Sequence, residues 1–206
     1  MDPAWGAQTK LTDPNKKVTE SQYDALGRIT KVWLPDSLRS LGKSPNYTYA
    51  YSITASDLPW VSTSTIKGDG SGYNTTYEIY DSLLRTRQVQ TPSPVGGTIV
   101  AETLYDDRGL AVTAEADIYD ESASPSGTLV EVDGGQAPTE TDTTYDGAGR
   151  ATKAVTKNYG VTRWWSGRGR WSPRRSPNRR LGWTRRANSP QRPPTPGPLP
   201  ACPASA

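Results

Sequence analysis

Apolar and polar residues alternate with a period of two in short runs along most of this chain. In "NYTYAYSIT" the alternation puts Tyr47, Tyr49 and Tyr51 on one face of an extended segment. The same period runs through "WVSTSTIK", "YNTTYEIY", "TIVAETL" and "AVTAEA". Thr, Val and Tyr dominate these runs, and all three suit the pleated, half-buried surface of a sheet. Clusters of Asp, Gly, Ser and Pro separate them, and the two runs flanking "GDGSG" are expected to pair as a hairpin. No capped segment of about ten residues or more carries a helical period; "DSLRSLG" at 36 to 42 comes nearest and predicts one short turn. The pattern predicts an all-β chain.

One turn signal recurs, as "YDALGR" at 23 to 28, "YDSLLR" at 80 to 85, "YDDRGL" at 105 to 110 and "YDGAGR" at 145 to 150. A type I turn favours Asp at its first position, where the carboxylate accepts a hydrogen bond from the N–H two residues on. It favours Gly at its fourth, where φ is often positive. Asp24 with Gly27, Asp106 with Gly109 and Asp146 with Gly149 fit that frame. Each unit therefore reads as strand, turn, strand. Tyr23, Tyr80, Tyr105 and Tyr145 end the incoming strands, and Arg28, Arg85 and Arg150 start the return strands. Tyrosines of stacked hairpins are expected to lie over one another. Asp81 lacks the glycine: Leu84 stands in its place, and a branched residue in the left-handed region costs about 1–2 kcal/mol. A different geometry is expected for that turn. Tyr119-Asp120 begins a further copy that runs into "ESASPSG", a longer loop. The uneven spacing suits hairpins with insertions better than a strict solenoid.

A catalytic reading competes with the structural one. Asp and Arg occur together in the motif as a candidate catalytic pair, and Asp106 with Asp107 offers a glycosidase-like pair of carboxylates. Backbone geometry already accounts for these carboxylates, so the motif residues are assigned to structure, and no catalytic, cofactor or metal site is assigned.

With their flanks, the hairpins "YDALGRITKVW", "YDSLLRTRQVQTPSP", "YDDRGLAVTAEADIYD" and "YDGAGRATKAV" resemble those of the YD-repeat, or Rhs (rearrangement hotspot), family over residues 18 to 162. The resemblance implies one long coiled β-sheet closing into a hollow shell. In bacterial polymorphic toxins of this kind the shell encloses a C-terminal effector, which an Asp-Pro-x-Gly segment cleaves free. The chain's Asp-Pro steps, Asp2-Pro3 and Asp13-Pro14, lack the Gly two residues past the Pro, so no processing Asp carries over. The expected organisation is a lead-in at 1–17, a YD-repeat hairpin region at 18–162 and a tail at 163–206. The expected function is non-catalytic: a fragment of shell wall whose partners are the remaining repeats of a longer array. The alternative is a module that binds carbohydrate or another cell-surface ligand through Tyr47, Tyr49, Tyr51 and Trp60. By resemblance such a protein is extracellular or on the cell surface.

Charge redraws the C-terminal end. The net charge of +3 hides two unlike stretches: residues 1–162 hold 14 Lys and Arg against 21 Asp and Glu, a balance of −7, while 163–206 hold 10 Arg and no Lys, Asp or Glu. That second stretch also carries 9 of the 18 Pro and 4 of the 7 Trp and shows no period, so it is expected to be disordered. Arg with Trp invites a nucleic-acid reading. The composition is, however, what a G+C-rich gene yields when translated out of frame, and the change after "NYGVTRW" is abrupt. No specific nucleic-acid partner is expected.

The chain has no His, and its one Cys is Cys202, which excludes His-based triads, Cys–His dyads, His-containing metal sites and any disulfide within the chain. With no Phe and 33% hydrophobic residues, Tyr, Thr and Val must do the packing. The N-terminus lacks the charged-then-apolar pattern of a secretory signal, and no apolar run nears the roughly 20 residues that span a bilayer. Expressed as written, the chain is expected to stay cytoplasmic.

Overall fold

The computed structural model describes Ala4 and residues 6–167; the expected tail from 168 onward lies outside them. Twelve strands follow one another: β1 (Lys10–Thr12), β2 (Val18–Tyr23), β3 (Ile29–Trp33), β4 (Tyr47–Ser52), β5 (Trp60–Ile66), β6 (Tyr73–Tyr80), β7 (Thr86–Pro92), β8 (Thr98–Tyr105), β9 (Ala111–Asp120), β10 (Thr139–Tyr145), β11 (Ala151–Asn158) and β12 (Val161–Gly167). They form one antiparallel sheet whose spatial order is the sequence order, with β1 and β12 at its two ends. The chain is thus all-β, and the runs around "GDGSG" pair as expected, Ile66 opposite Tyr73. Residues 36 to 42 form two short 3-10 turns, Pro35–Ser37 and Arg39–Leu41, the second closed by Gly42 at φ 68. No helix among the described residues is long and apolar enough to cross a membrane. The sheet overruns both expected boundaries: β1 lies within 1–17, and β12 runs on to Gly167.

Antiparallel neighbours joined in order place alternate connections at the same end of the sheet. All four Tyr-Asp turns therefore share one end, along with the 53–59 connection between β4 and β5. The 121–138 connection leaves from the other end and turns back over one face. There Gln88 and Gln90 meet its main chain as a neighbouring strand would. Gln88 Nε2 donates to the Val130 carbonyl at 2.8 Å and its Oε1 accepts from Val130 N at 2.9 Å. Gln90 Nε2 donates to the Thr128 carbonyl at 2.7 Å and its Oε1 accepts from Ser126 N at 2.8 Å.

Val130 and Val132 of this strap pack against a small apolar cluster of Val100, Ile118 and Ala137. Trp60 lies against Gly127 and meets Tyr77 edge-on, ring centres 5.2 Å apart. A chain short of large apolar residues has built its most buried face partly from amides. Gln88, Gln90 and Thr98 are as fully buried as Ile79 and Val100.

Tyr119-Asp120 does not open a further hairpin. It ends β9 at the far end of the sheet, where Tyr119 Oη donates to the Gly96 carbonyl and Asp120 Oδ1 accepts from Ser122 N, the start of the strap. Ser-Pro and Gly follow it in place of a D-x-x-G frame, so nothing closes a tight turn there.

Candidate functional site

The four Tyr-Asp turns share one backbone. The Asp N–H donates to the carbonyl four residues on, as from Asp24 to Arg28 at 2.9 Å, and the N–H three residues on donates back, as from Gly27 to Asp24 at 3.0 Å. This is a type I turn closed by a left-handed residue, a three-residue hairpin loop. Within it the Asp carboxylate is fully engaged. Oδ1 of Asp24 accepts from Leu26 N and Arg28 N, both at 2.9 Å, and Oδ2 accepts from Arg28 Nε at 2.7 Å. Asp81 repeats this with Leu83 and Arg85, and Asp146 with Ala148 and Arg150. In the third turn Leu110 stands where the others have Arg, and Arg108 inside the loop supplies the guanidinium, its Nε 3.1 Å from Asp106 Oδ2. Asp106 is therefore committed to its own loop rather than to Asp107.

These bonds set the carboxyl pKa values. Burial acts to raise Asp24 and Asp81, but the bonds from Arg28 and Leu26, and from Arg85 and Leu83, outweigh it and hold both below the usual range. The backbone N–H of Leu110 does most to lower Asp106, and that of Arg150 to lower Asp146. Carboxylates lowered in this way favour the turn above the ordinary value near 3.8, and that contribution is lost as acid protonates them.

Leu84 corrects the expectation for the second turn. It sits at φ 59, beside Gly27 at 76, Gly109 at 83 and Gly149 at 76, and donates to the Asp81 carbonyl as those glycines do to theirs. Five bonds within the loop impose the backbone, and the leucine accepts the strain. Its side chain is about two-thirds exposed, so little burial is at stake. Leu84→Gly is expected to stabilise the protein by about 1 kcal/mol, read as a higher urea midpoint; an unchanged or lower midpoint would refute the strain.

Each hairpin also carries a bulge at the same place. Gln22 faces Lys31 while Tyr23 faces Ile29, which leaves Thr30 as an extra residue. Arg87, Val112 and Thr152 are its counterparts. Thr30 and Thr152 donate their hydroxyls to the Gln22 and Thr144 carbonyls across the bulge. Arg87 uses it to reach Glu102 on the strapped face, 2.7 Å away.

The tyrosines do not lie over one another. At least one strand separates each Tyr-bearing strand from the next, which sets them roughly 10 Å or more apart. Tyr105 and Tyr145 instead meet the preceding return strand, and Tyr23 meets the segment before β1. Tyr105 lies under the Arg85 guanidinium, 4.3 Å from ring centre, and donates to the Thr86 carbonyl at 2.9 Å. Tyr145 donates to the Ala111 carbonyl at 2.9 Å, and Tyr23 to that of Gln8 at 3.1 Å. Tyr51, grouped by sequence with possible ligand-face aromatics, fills this place for the first motif: Arg28 stacks on it at 4.5 Å, and its hydroxyl donates to the Ile29 carbonyl at 2.8 Å. No Asp follows Tyr51, so the motif gave no sign of it. Tyr47 and Tyr49 share its face, whereas Trp60 pairs with Ser52 and so faces the strapped side. Tyr80, preceded by the 53–59 connection instead of a motif turn, borders an apolar cavity of about 190 Å³ with Tyr51, Ile53, Pro59 and Leu84.

Adjacent turns also touch along the rim. Arg108 Nη1 donates to the Asp146 carbonyl at 2.8 Å, and Gly149 lies against Leu110.

A second polar group occupies the strapped face. Glu102, Glu115 and Glu140 stand directly opposite one another across β8, β9 and β10, only 9%, 8% and 7% exposed. Arg87 pairs with Glu102; Lys157 pairs with Glu140 at 2.6 Å and Asp142 at 2.5 Å. Glu115, between them, makes no hydrogen bond or ion pair among the described residues. Burial pushes its carboxyl up, and the charges of Glu102, Glu140 and Asp142 add to the rise. No group of His, Cys, Asp and Glu among the described residues could hold a metal ion.

A raised carboxyl means that the folded chain holds a proton the unfolded chain has lost. Stability is therefore full below about 4.5, the ordinary value, and falls as pH rises through the folded one. Glu115→Gln is expected to gain about 1 kcal/mol at pH 7 by removing two cross-strand like-charge pairs. Thermal melts at pH 4 and pH 7 check this, since the gain should shrink at the lower pH; equal gains at both would remove the titration from the account. No protein-family model matches the chain, and no curated protein matches it.

Proposed function

We propose that this chain is a stretch of wall from a YD-repeat, Rhs-type shell: a non-catalytic scaffold whose hairpins pair edge to edge with further repeats, enclosing a C-terminal toxin in the complete protein. One observation carries the reading. The first two motifs each build a stacking surface and a free carbonyl for a Tyr of the following strand, Arg28 and Ile29 for Tyr51 and Arg85 and Thr86 for Tyr105, and the third keeps the carbonyl for Tyr145. A turn that needed only to close itself would have no use for either. The unit-to-unit link is what a linear array requires, since each repeat then draws stability from its neighbours. Secretion and the enclosed effector follow from the family likeness of the motifs.

Appending further copies of the β10–β11 hairpin, residues 139–158, tests the array. Each added copy is expected to raise the unfolding temperature until the gain levels off. No gain from any copy would sink the reading. A sharp monomer of the chain as it stands, with cooperative unfolding and binding on a glycan array, would favour a surface-carbohydrate module instead.

A further inference from the structure

Tyr51, Tyr80, Tyr105 and Tyr145 each face one residue of the preceding strand, and at one of these junctions that residue leaves space. Counting on from the Lys31–Thr48, Gln88–Glu102 and Thr113–Asp142 pairs sets Arg28 opposite Tyr51, Arg85 opposite Tyr105 and Leu110 opposite Tyr145. Counted from Trp60–Ile79, Tyr80 falls opposite Pro59, whose carbonyl accepts from Tyr80 N at 2.8 Å. Proline is shorter than arginine or leucine, and the cavity of about 190 Å³ lies beside this ring. The fourth residue of the following turn registers the same exchange. A Cβ at Gly109 would come 2.9 Å from Arg85 Nη1, whereas Leu84, its counterpart beside Pro59, keeps a whole side chain and still borders open space. Val61 pairs with Tyr51 on one side and with Glu78, two residues before Tyr80, on the other, so Tyr51, Val61 and Tyr80 share the face away from the strap. With Ile53, Pro59 and Leu84 they give the cavity an almost wholly apolar lining.

We propose that this cavity is a binding site for a small uncharged aromatic molecule of phenyl to indole size. Its volume sets the size, since an apolar cavity of about 150 Å³ is enough to take up benzene. Its walls set the chemistry. The guanidinium groups that stack on Tyr51 and Tyr105 are each held by the carboxylate of their own turn, Asp24 and Asp81. In the β4–β5 unit Ser52 follows the tyrosine instead of Asp. Asp57 of the 53–59 connection accepts from Thr54 and Ser56, Glu78 accepts from Thr86, and neither lines the cavity. A cation placed on Tyr80 would therefore lose water and gain no carboxylate. A sugar would leave its hydroxyls without partners in that lining. A flat apolar ring gives up no hydrogen bonds, and Tyr80 and Tyr51 offer it the offset or edge-on contacts that aromatic pairs favour.

Titration of the full chain with indole, followed at the amide resonances of Val61 and Tyr80, tests the site. Saturable shifts are expected, half complete at about 1 mM. N-methylguanidinium, planar but cationic, is expected to move neither resonance over the same range. Pro59→Leu puts the residue type of the Tyr145 junction into the space and should abolish the shifts. Leu84→Gly takes away one wall, so indole binding should weaken about fivefold even as the chain becomes more stable, a split that general loosening of the fold would not give. That variant carries the test if Pro59→Leu does not fold. Shifts that rise without saturating, saturation by N-methylguanidinium, or indole binding unchanged in either variant would each overturn the proposal. Neither result bears on the array of hairpins.

Discussion

Gln88→Ala is expected to release the 121–138 strap from the sheet and to cost about 3 kcal/mol. Gln88 is fully buried, and its amide satisfies both main-chain groups of Val130 while accepting a third bond from Gln90 Nε2 at 2.8 Å. Truncation leaves Val130 N and O without partners under a covered face, each unpaired group costing about 1–3 kcal/mol until water or movement relieves it. Loosening of the strap is the cheaper relief, since its own secondary structure is confined to the 3-10 turn Gly134–Gln136. Amide hydrogen exchange reads this directly. Val130 should lose protection in the variant while Tyr77, in the β5–β6–β7 ladder, keeps most of its own. Unchanged protection at Val130 would show that the apolar packing of Val130 and Val132 holds the strap without the glutamine.

Gly97→Val is expected to cost about 3–4 kcal/mol, more than Gly149→Val at about 1–2 kcal/mol. Both glycines sit at φ 76, so the left-handed strain is common to the two. They differ in what a side chain would meet. At Gly149 an added Cβ comes to ordinary contact with Leu110 Cδ1 at 3.8 Å. At Gly97 it overlaps the Asp120 carbonyl and lies 2.9 Å from Glu121 Cα, which is main chain at the point where β9 gives way to the strap. Side chains can swing aside; that backbone can move only by breaking the end of the β8–β9 ladder, where Thr98 faces Asp120. Urea unfolding of both variants checks the ranking. Equal losses would mean that φ alone sets the cost.

The sequence made the strands and the turn positions legible because both are local. Alternation fixes a strand, and Asp with Gly at a spacing of three fixes a turn whose bonds all fall within the loop. What it left hidden is non-local. Leu84 was misjudged because an intrinsic penalty of about 1–2 kcal/mol was weighed without the carboxylate bonds that outvote it. Tyr51 falls by alternation among the possible ligand-face aromatics because its partner, Arg28, is 23 residues away and no Asp follows it. Tyr119-Asp120, without the glycine that would close a tight turn, leads into the longer loop that "ESASPSG" implies. β1 and β12 escaped notice since short, Thr- and Lys-containing segments declare themselves only through the neighbour they pair with. The bulges left no mark either, because Thr30, Arg87, Val112 and Thr152 share a position but no single residue type.

The way Gln88 and Gln90 hold the strap bears on how freely its sequence can drift. They bind the peptide groups of residues 126, 128 and 130 and ask nothing of the side chains there. Thr128 can therefore be exchanged for most residues without disturbing the attachment, whereas the Ser126 hydroxyl also accepts from Thr128 N at 3.3 Å. Gly127, pressed against Trp60, and Val130, packed on the Val100 cluster, cannot. Two glutamines anchored in the sheet would let the covering segment vary in composition, and so in the surface it shows to solvent, while its course over the sheet stays the same.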